Sequence, residues 1–521
     1  MTTKRVILIV LTIVSLIPVI LSLIGSINQP QVQSNLQLYQ TNLVLQAAEF
    51  SDENINGIEQ IRESVLGKNP YKSALKQYQD ARKLSEKNLT KLENNLKILE
   101  EESQGINQEE NYNSLPILLG NNEQTKLQIE VNQQLQEIEK ITVKIALLEI
   151  AEGEGNPNKG LGTLNELQKL SFSTSIKNTA NILSYLWNNN EPILAESEAT
   201  IKQELNGWFR TYSLNQLYQI QERKDDLIKL QESQQEAAKQ AIIKLTIIAI
   251  IPVVGGLIGV GIIILCLIQL AVKKESAILV IDERFKWETP WTIEIPWQVL
   301  VVGFLLFGQI LLPILASFLT INVAELSLRG KAFYVLATYV ALSLGGIGVL
   351  YLSIKSFFPL PKDWFNFNFF NNWIIWGTGG YLVALPLVII ISLINQNIWD
   401  GQGGSNPLLS LALEGQDIVV LAIFYFTAAI AAPFYEEIMF RGFLLPSLTR
   451  YFPLWGAIGI SSLIFAVAHL NLSEVLPLTV LGIVLGIVYT RSRNLLSSML
   501  LHSLWNSGTL ISLFLLGSGG N

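Results

Sequence analysis

Apolar runs long enough to cross a bilayer recur along this chain and constrain its fold more than any other feature. A spanning helix needs about 20 residues, because the hydrocarbon core is about 30 Å thick and each helical residue adds about 1.5 Å. The first run, VILIVLTIVSLIPVILSLIGSI, covers residues 6–27 directly after Lys4 and Arg5. It is long for the apolar part of a signal peptide and no small-x-small cleavage site follows it, so it is read as a retained anchor. Eight more runs follow, at 242–271, 295–321, 332–354, 373–395, 417–449, 454–470, 475–490 and 495–516. Backbone groups in lipid must be satisfied within the protein, which leaves helices as the simplest spanning element. The expected fold class is therefore all-α: a polytopic membrane helical bundle of about nine spans. A soluble helical, coiled-coil-like insertion interrupts it near the N-terminus. Composition agrees, since charged residues make up only 15% of the chain against roughly 25% in soluble proteins.

The insertion, residues 28–240, is rich in Gln, Asn, Glu, Lys and Leu and has no long apolar run. Leu89, Leu92, Leu96 and Leu99 keep the 3,4,3 spacing of a coiled-coil seam, and Leu127, Val131, Leu135, Ile138, Ile145 and Leu148 share a helical face. Breaks are expected at Gly67–Pro70 and Gly153–Gly162. The whole chain thus divides into an anchor (1–27), this helical domain (28–240), membrane helices (241–416) and a last group of spans (417–516).

Basic loop residues set orientation. Lys4, Arg5, Lys273, Lys274, Arg284, Lys286, Lys355, Lys362, Arg450, Arg491 and Arg493 fall on one side of the expected spans, and only Arg329 and Lys331 oppose them. The N-terminus is expected to be cytoplasmic, with the 28–240 domain and the C-terminus extracytoplasmic. A net charge of -7 offers no basic surface for phosphates and argues against a nucleic-acid partner. The single cysteine, Cys266, excludes an intrachain disulfide framework and any multi-cysteine metal site. It is expected to be a buried thiol, and Trp287, Trp291 and Trp297 are expected to form an interfacial aromatic belt.

Ionisable groups inside a span are costly unless paired or hydrated, which makes them the first place to look for chemistry. Both histidines of the chain, His469 and His502, lie in the last four spans, with Glu436, Glu437, Arg441 and Asn506. Glu437 and Arg441 are four residues apart with the carboxylate first, the better order for a helical ion pair, and that leaves Glu436 free. Phe465 and His469, and His502 and Asn506, are also four apart and share a face. Pro433 lies just before the glutamates and is expected to free the carbonyl of Ala429. Counted from the basic turns at about 1.5 Å per residue, Glu436, His469, His502 and Asn506 lie roughly 21, 25, 13 and 19 Å into the membrane.

A carboxylate and an imidazole around one water suit hydrolysis. Glu436 would take the proton while His469 orients the water, and His502 and Asn506 would donate to the oxyanion of a tetrahedral intermediate. The same set permits a metal site with Glu436, His469 and His502 as ligands and Zn2+ as the ion. The spacing alone leaves both open. Glu437 and Arg441 are expected to lock helices together, and Phe465 to pack.

The order EExxxR, FxxxH and HxxxN on successive membrane helices resembles the CPBP intramembrane protease family, which includes the type II CAAX prenyl endopeptidases. All three motifs are present without substitution, in Glu436, Glu437 and Arg441, in Phe465 and His469, and in His502 and Asn506. The resemblance covers roughly residues 417–516. It implies an endopeptidase acting on a membrane protein or peptide within the lipid bilayer, with Glu436 and His469 activating water and His502 and Asn506 holding the oxyanion. The Gln- and Asn-rich insertion has a cyanobacterial cast and suggests a multi-pass protein of a bacterial cell or internal membrane. Two other readings compete: a non-catalytic scaffold or regulator that uses its helical domain to bind partners, and a proton-coupled transporter with Glu436 and Glu437 as relay.

Overall fold

The computed structural model describes residues 2–27, 29, 31–51, 66–106, 114–153, 156–188, 196–280, 286–319, 321–399, 402–405 and 417–517. Arg284, counted above for orientation, lies outside the described residues. The protein is an all-α polytopic membrane bundle that divides into two compact units. Among the described residues, one comprises the N-terminal segment up to Val32 with the chain from Ile247 onward, and the other comprises Gln33–Thr246.

Helix α1 (Thr3–Ser26) is the N-terminal apolar run. The polar unit then builds a bundle from α2 (Val32–Ala48), α3 (Pro70–Ile106), α4 (Ser114–Glu152), α5 (Asn158–Leu170), α6 (Thr174–Asn188), α7 (Ser197–Glu204) and α8 (Gly207–Ile220). The long helix α9 (Lys224–Lys273) contributes residues to both units.

Helices α3 and α4 run antiparallel, with the Gln124 amide donating to the Leu99 carbonyl and that of Gln134 to the Ser85 carbonyl. The leucines at 89, 92, 96 and 99 are only half-buried, so a coiled-coil seam is not supported. Their spacing covers less than two heptads, too short to sustain a supercoil. The core forms instead where Ala74, Leu75 and Tyr78 of α3 and Ile141–Ile150 of α4 meet α5–α8, around Leu183, Trp208, Phe209 and Leu217. The second break is also shorter than expected, because Gly160 and Gly162 lie inside α5. A Cβ at Gly160 would fall 2.4 Å from the Ala146 carbonyl oxygen; glycine there lets α5 close directly onto α4.

In the membrane unit, α10 (Glu294–Ser317), α11 (Leu328–Ile354), α12 (Trp373–Trp399), α13 (Ile418–Leu448), α14 (Leu454–Val467), α15 (Leu472–Ser492) and α16 (Leu495–Gly517) follow. Eight of the described helices are long and apolar enough to cross a membrane, and α14, with 14 residues, is shorter. At about 1.5 Å per residue it reaches roughly 21 Å. The chain turns at Ala468–Leu470, where Leu470 adopts a φ of 62°, and so sets His469 in the turn rather than on the helix. That turn is tied down on several sides. Asn471 Nδ2 donates to the His469 carbonyl, Ser26 Oγ of α1 accepts from Leu472 N, and Asn395 Nδ2 of α12 donates to the Ser473 carbonyl.

At its other end α1 is fixed to α10, where Arg5 pairs with Glu294 at 2.5 Å and the Trp297 indole donates to Thr12 Oγ1. Arg329, which opposed the other charges in orientation, pairs with Asp417 at 2.5 Å. That guanidinium, and then the Val419 backbone N–H, hold the Asp417 carboxyl below its ordinary range.

Trp287 and Trp291 are buried rather than interfacial. Trp287 stacks on Tyr489 at 5.4 Å and carries the Arg493 guanidinium 3.6 Å from its ring centre. Trp291 donates to Ser447 Oγ and packs on Trp364 at 4.5 Å. Both indoles find partners inside the bundle, which removes the usual reason for tryptophan to sit at a headgroup. Cys266 is half-exposed on α9.

Candidate active site

The glutamates sit on α13, which is not a uniform α-helix. Segments Phe426–Ala431 and Ile438–Leu444 widen into π-helix on either side of a short α-helical stretch, Ala432–Glu437. In the first segment the bonds run five residues back, as the Ala432 N–H donating to the Thr427 carbonyl shows. Residue 433 would therefore serve Ala428, and proline has no N–H to give. The freed carbonyl is that of Ala428 rather than Ala429. Asn506 Nδ2 of α16 donates to it at 2.7 Å. Expected as an oxyanion donor, Asn506 thus has one of its N–H groups engaged in repairing the broken helix.

Glu437 is at the centre of a buried charge network. Its Oε1 accepts from Arg441 Nη1 at 2.7 Å and lies 3.0 Å from His502 Nδ1. Arg441 is 1% exposed and Glu437 0%, so neither charge is tolerable without the other. Arg441 Nη2 also donates to the Gly482 carbonyl at 3.3 Å. A Cβ at Gly482 would stand 2.8 Å from Ser462 Cβ; glycine permits α14 and α15 to pack closely beside the guanidinium. Glu437 was expected only to lock helices. In the structure it also orients His502: a carboxylate on Nδ1 favours the tautomer with hydrogen there and turns Nε2 outward.

That Nε2 lies 4.0 Å from Glu436 Oε2, too far for a direct hydrogen bond and near enough for one water to touch both. The other oxygen, Oε1, accepts from the Tyr339 hydroxyl of α11 at 2.9 Å. Oε2 is buried with no hydrogen-bond partner. Sequence reading missed Tyr339, which is one of 15 tyrosines and stands 97 residues upstream of its carboxylate.

Phe465 does more than fill space. Its ring is fully buried and lies 4.3 Å from the Arg441 guanidinium, 4.9 Å from the His469 ring and 5.7 Å from the His502 ring. This one ring thus contacts both histidines and the arginine. His469 Nδ1 lies 2.9 Å from the Phe465 carbonyl oxygen, which leaves Nε2 for other partners. Its link to the glutamates runs through this ring.

A catalytic zinc takes three protein ligands at about 2.0–2.2 Å. Among the described residues no three His, Cys, Asp or Glu side chains converge to hold a metal ion. Glu436, His469 and His502, the expected ligands, are not gathered into such a group among the described residues.

With this geometry in place, comparison with known proteins adds a family. Residues 418–508 match the family described as Type II CAAX prenyl endopeptidase Rce1-like. The matched segment begins with α13 and ends in α16, so it contains all three motifs but not Tyr339. The protein named "Putative membrane peptidase YdiL", from Bacillus subtilis (strain 168), is 27% identical over 138 residues, 26% of this chain. The chain spans about half, 55%, of that relative's length. No solved structure matches. Eight spanning helices and a peptidase-like segment together make this an integral membrane protein.

Proposed function

We propose that the protein is an intramembrane endopeptidase that hydrolyses peptide bonds of membrane-associated proteins or peptides. The observation that carries this reading is the unlike treatment of the two Glu436 oxygens. Oε1 is held by Tyr339, while Oε2 is buried, unpartnered and 4.0 Å from His502 Nε2. A water between Oε2 and the imidazole loses a proton to the carboxylate and attacks the scissile carbonyl. His502, aligned through Nδ1 by Glu437, presents the Nε2 lone pair to the same water and orients it for attack. His469, with Nδ1–H on the Phe465 carbonyl, presents the Nε2 lone pair to the water, and as the C–N bond breaks Glu436 passes the proton it took from water to the departing amine. The family match and the peptidase relative support the same reaction class.

The test is hydrolysis of membrane-anchored peptides by purified full-length protein. Glu436→Gln and His469→Ala are each expected to abolish turnover while leaving folded protein in the membrane. Substantial hydrolysis by Glu436→Gln would overturn the mechanism.

A further inference from the structure

The polar unit holds a cavity of about 370 Å³ whose lining includes Lys140, Lys144, Glu204, Asn206 and Arg210. That volume is at the lower end of small-molecule sites. Its charge is lopsided. Lys140 and Lys144 stand one turn apart on α4, an arrangement that repels by a few tenths of a kcal/mol on a helix, and Arg210 of α8 completes a cationic wall. Glu204, the single acidic lining residue, accepts from Ser175 Oγ at 2.7 Å.

The three cations make no ion pair with any described residue. Arg210 Nε donates to the Leu205 carbonyl at 2.8 Å, which fixes the guanidinium and leaves its terminal nitrogens. The Lys144 ammonium lies 5.9 and 5.6 Å from the Tyr78 and Phe209 ring centres. Aromatic faces attract a cation but do not neutralise it. Burial pushes this ammonium below its ordinary value; Glu137 on the same helix opposes that shift and Lys140 adds to it. A charge kept in so poorly compensated a place gains most from an anion arriving out of solution. Asn206, at the N-terminus of α8, makes no capping bond with its side chain, so its amide adds an uncommitted polar group to the cavity rim. Val143, Ile176 and Leu205 supply an apolar wall for a short carbon body.

We propose that this cavity binds a small oxyanion, a carboxylate or phosphate group, held by Lys140, Lys144 and Arg210. The site lies wholly within the polar unit and does not depend on the peptidase reading.

The test uses full-length protein in lipid nanodiscs, titrated calorimetrically with inorganic phosphate and with succinate against a chloride control. A second measurement follows acylation of Lys144 by mass spectrometry in the unsubstituted protein. Saturable binding of either anion is expected, together with protection of Lys144 by that anion. Affinity should fall at least about tenfold, or roughly 1.4 kcal/mol, in Lys144→Met and in Arg210→Gln. Preference for phosphate or succinate identifies which oxyanion the site takes. Binding of neither anion above the chloride control, or an unprotected Lys144 at saturating anion, would overturn the proposal even where a variant fails to fold. Full affinity in both folded variants would do the same.

Discussion

Glu437→Gln is the most informative single change, because Glu437 holds Arg441 and His502 at once. The substitution keeps an acceptor oxygen but removes the charge opposite a guanidinium that is 1% exposed. Leaving a buried partner uncompensated costs about 3–5 kcal/mol, a large part of the roughly 5–15 kcal/mol that holds a typical fold. A lower midpoint of thermal unfolding and lower abundance in the membrane are therefore expected. The second effect is on turnover. Losing the carboxylate that fixes a catalytic imidazole slows a hydrolase by up to about 10,000-fold. Glu437→Met/Arg441→Met separates the two, since replacing both members of a buried pair by apolar groups is often neutral or stabilising. The double variant is expected to unfold near the wild-type midpoint yet remain inactive, because His502 Nδ1 has lost its partner. Recovery of turnover with stability would refute the orienting role and return Glu437 to helix locking alone.

Tyr339→Phe should reduce kcat about tenfold, the worth of one good hydrogen bond to a charged group, with KM unchanged; a shift in KM alone would place Tyr339 in substrate binding instead. In the polar unit, hydrogen bonds from Lys202, then Arg223 and Tyr218, lower the Glu198 carboxyl from 4.5 to about 2. A depressed folded pKa stabilises above the unfolded value, so this contribution is full above about pH 4.5 and is lost as pH falls toward 2. Acid unfolding of Glu198→Gln should consequently be flatter than wild type between those limits, and an unchanged slope would show that the Glu198 contacts do not persist in solution.

The motifs were legible because the relevant geometry is local. Positions four apart lie one turn apart on a helix, so the Glu437–Arg441 pair could be read directly from the sequence, and Phe465 and His469 still meet although the chain turns at His469. What crossed between helices was not legible. Tyr339 belongs to α11, and nothing in its own segment marks one tyrosine among 15 as the carboxylate's partner. The contact between Glu437 and His502 joins residues 65 apart and needs the packing of α13 on α16 to be known. Trp287 and Trp291 looked interfacial because hydropathy cannot tell a headgroup neighbour from an indole with a buried acceptor. The leucines at 89–99 followed a coiled-coil pattern, but the larger apolar surface at the far end of α3 took the core.

Pro433 and Asn506 show how a shift in helical register changes a residue's role. In a regular α-helix, proline at 433 would orphan Ala429, and Asn506 would have no reason to approach the backbone there. The π segment moves the orphan to Ala428, where Asn506 Nδ2 donates at 2.7 Å, so a folding role competes with the oxyanion role expected from the motif. A double-mutant cycle decides between them. Asn506→Ala alone strands a half-buried carbonyl and should destabilise by about 1–3 kcal/mol. Pro433→Ala restores an N–H able to serve Ala428, and in that background Asn506→Ala should lose much less stability. If repair of the helix is the whole of its role, turnover recovers along with stability. If the second N–H of the amide also meets the reacting oxygen, the rate defect persists undiminished in the Pro433→Ala background while stability returns. Equal destabilisation in both backgrounds would instead refute the link between Asn506 and the proline-broken helix.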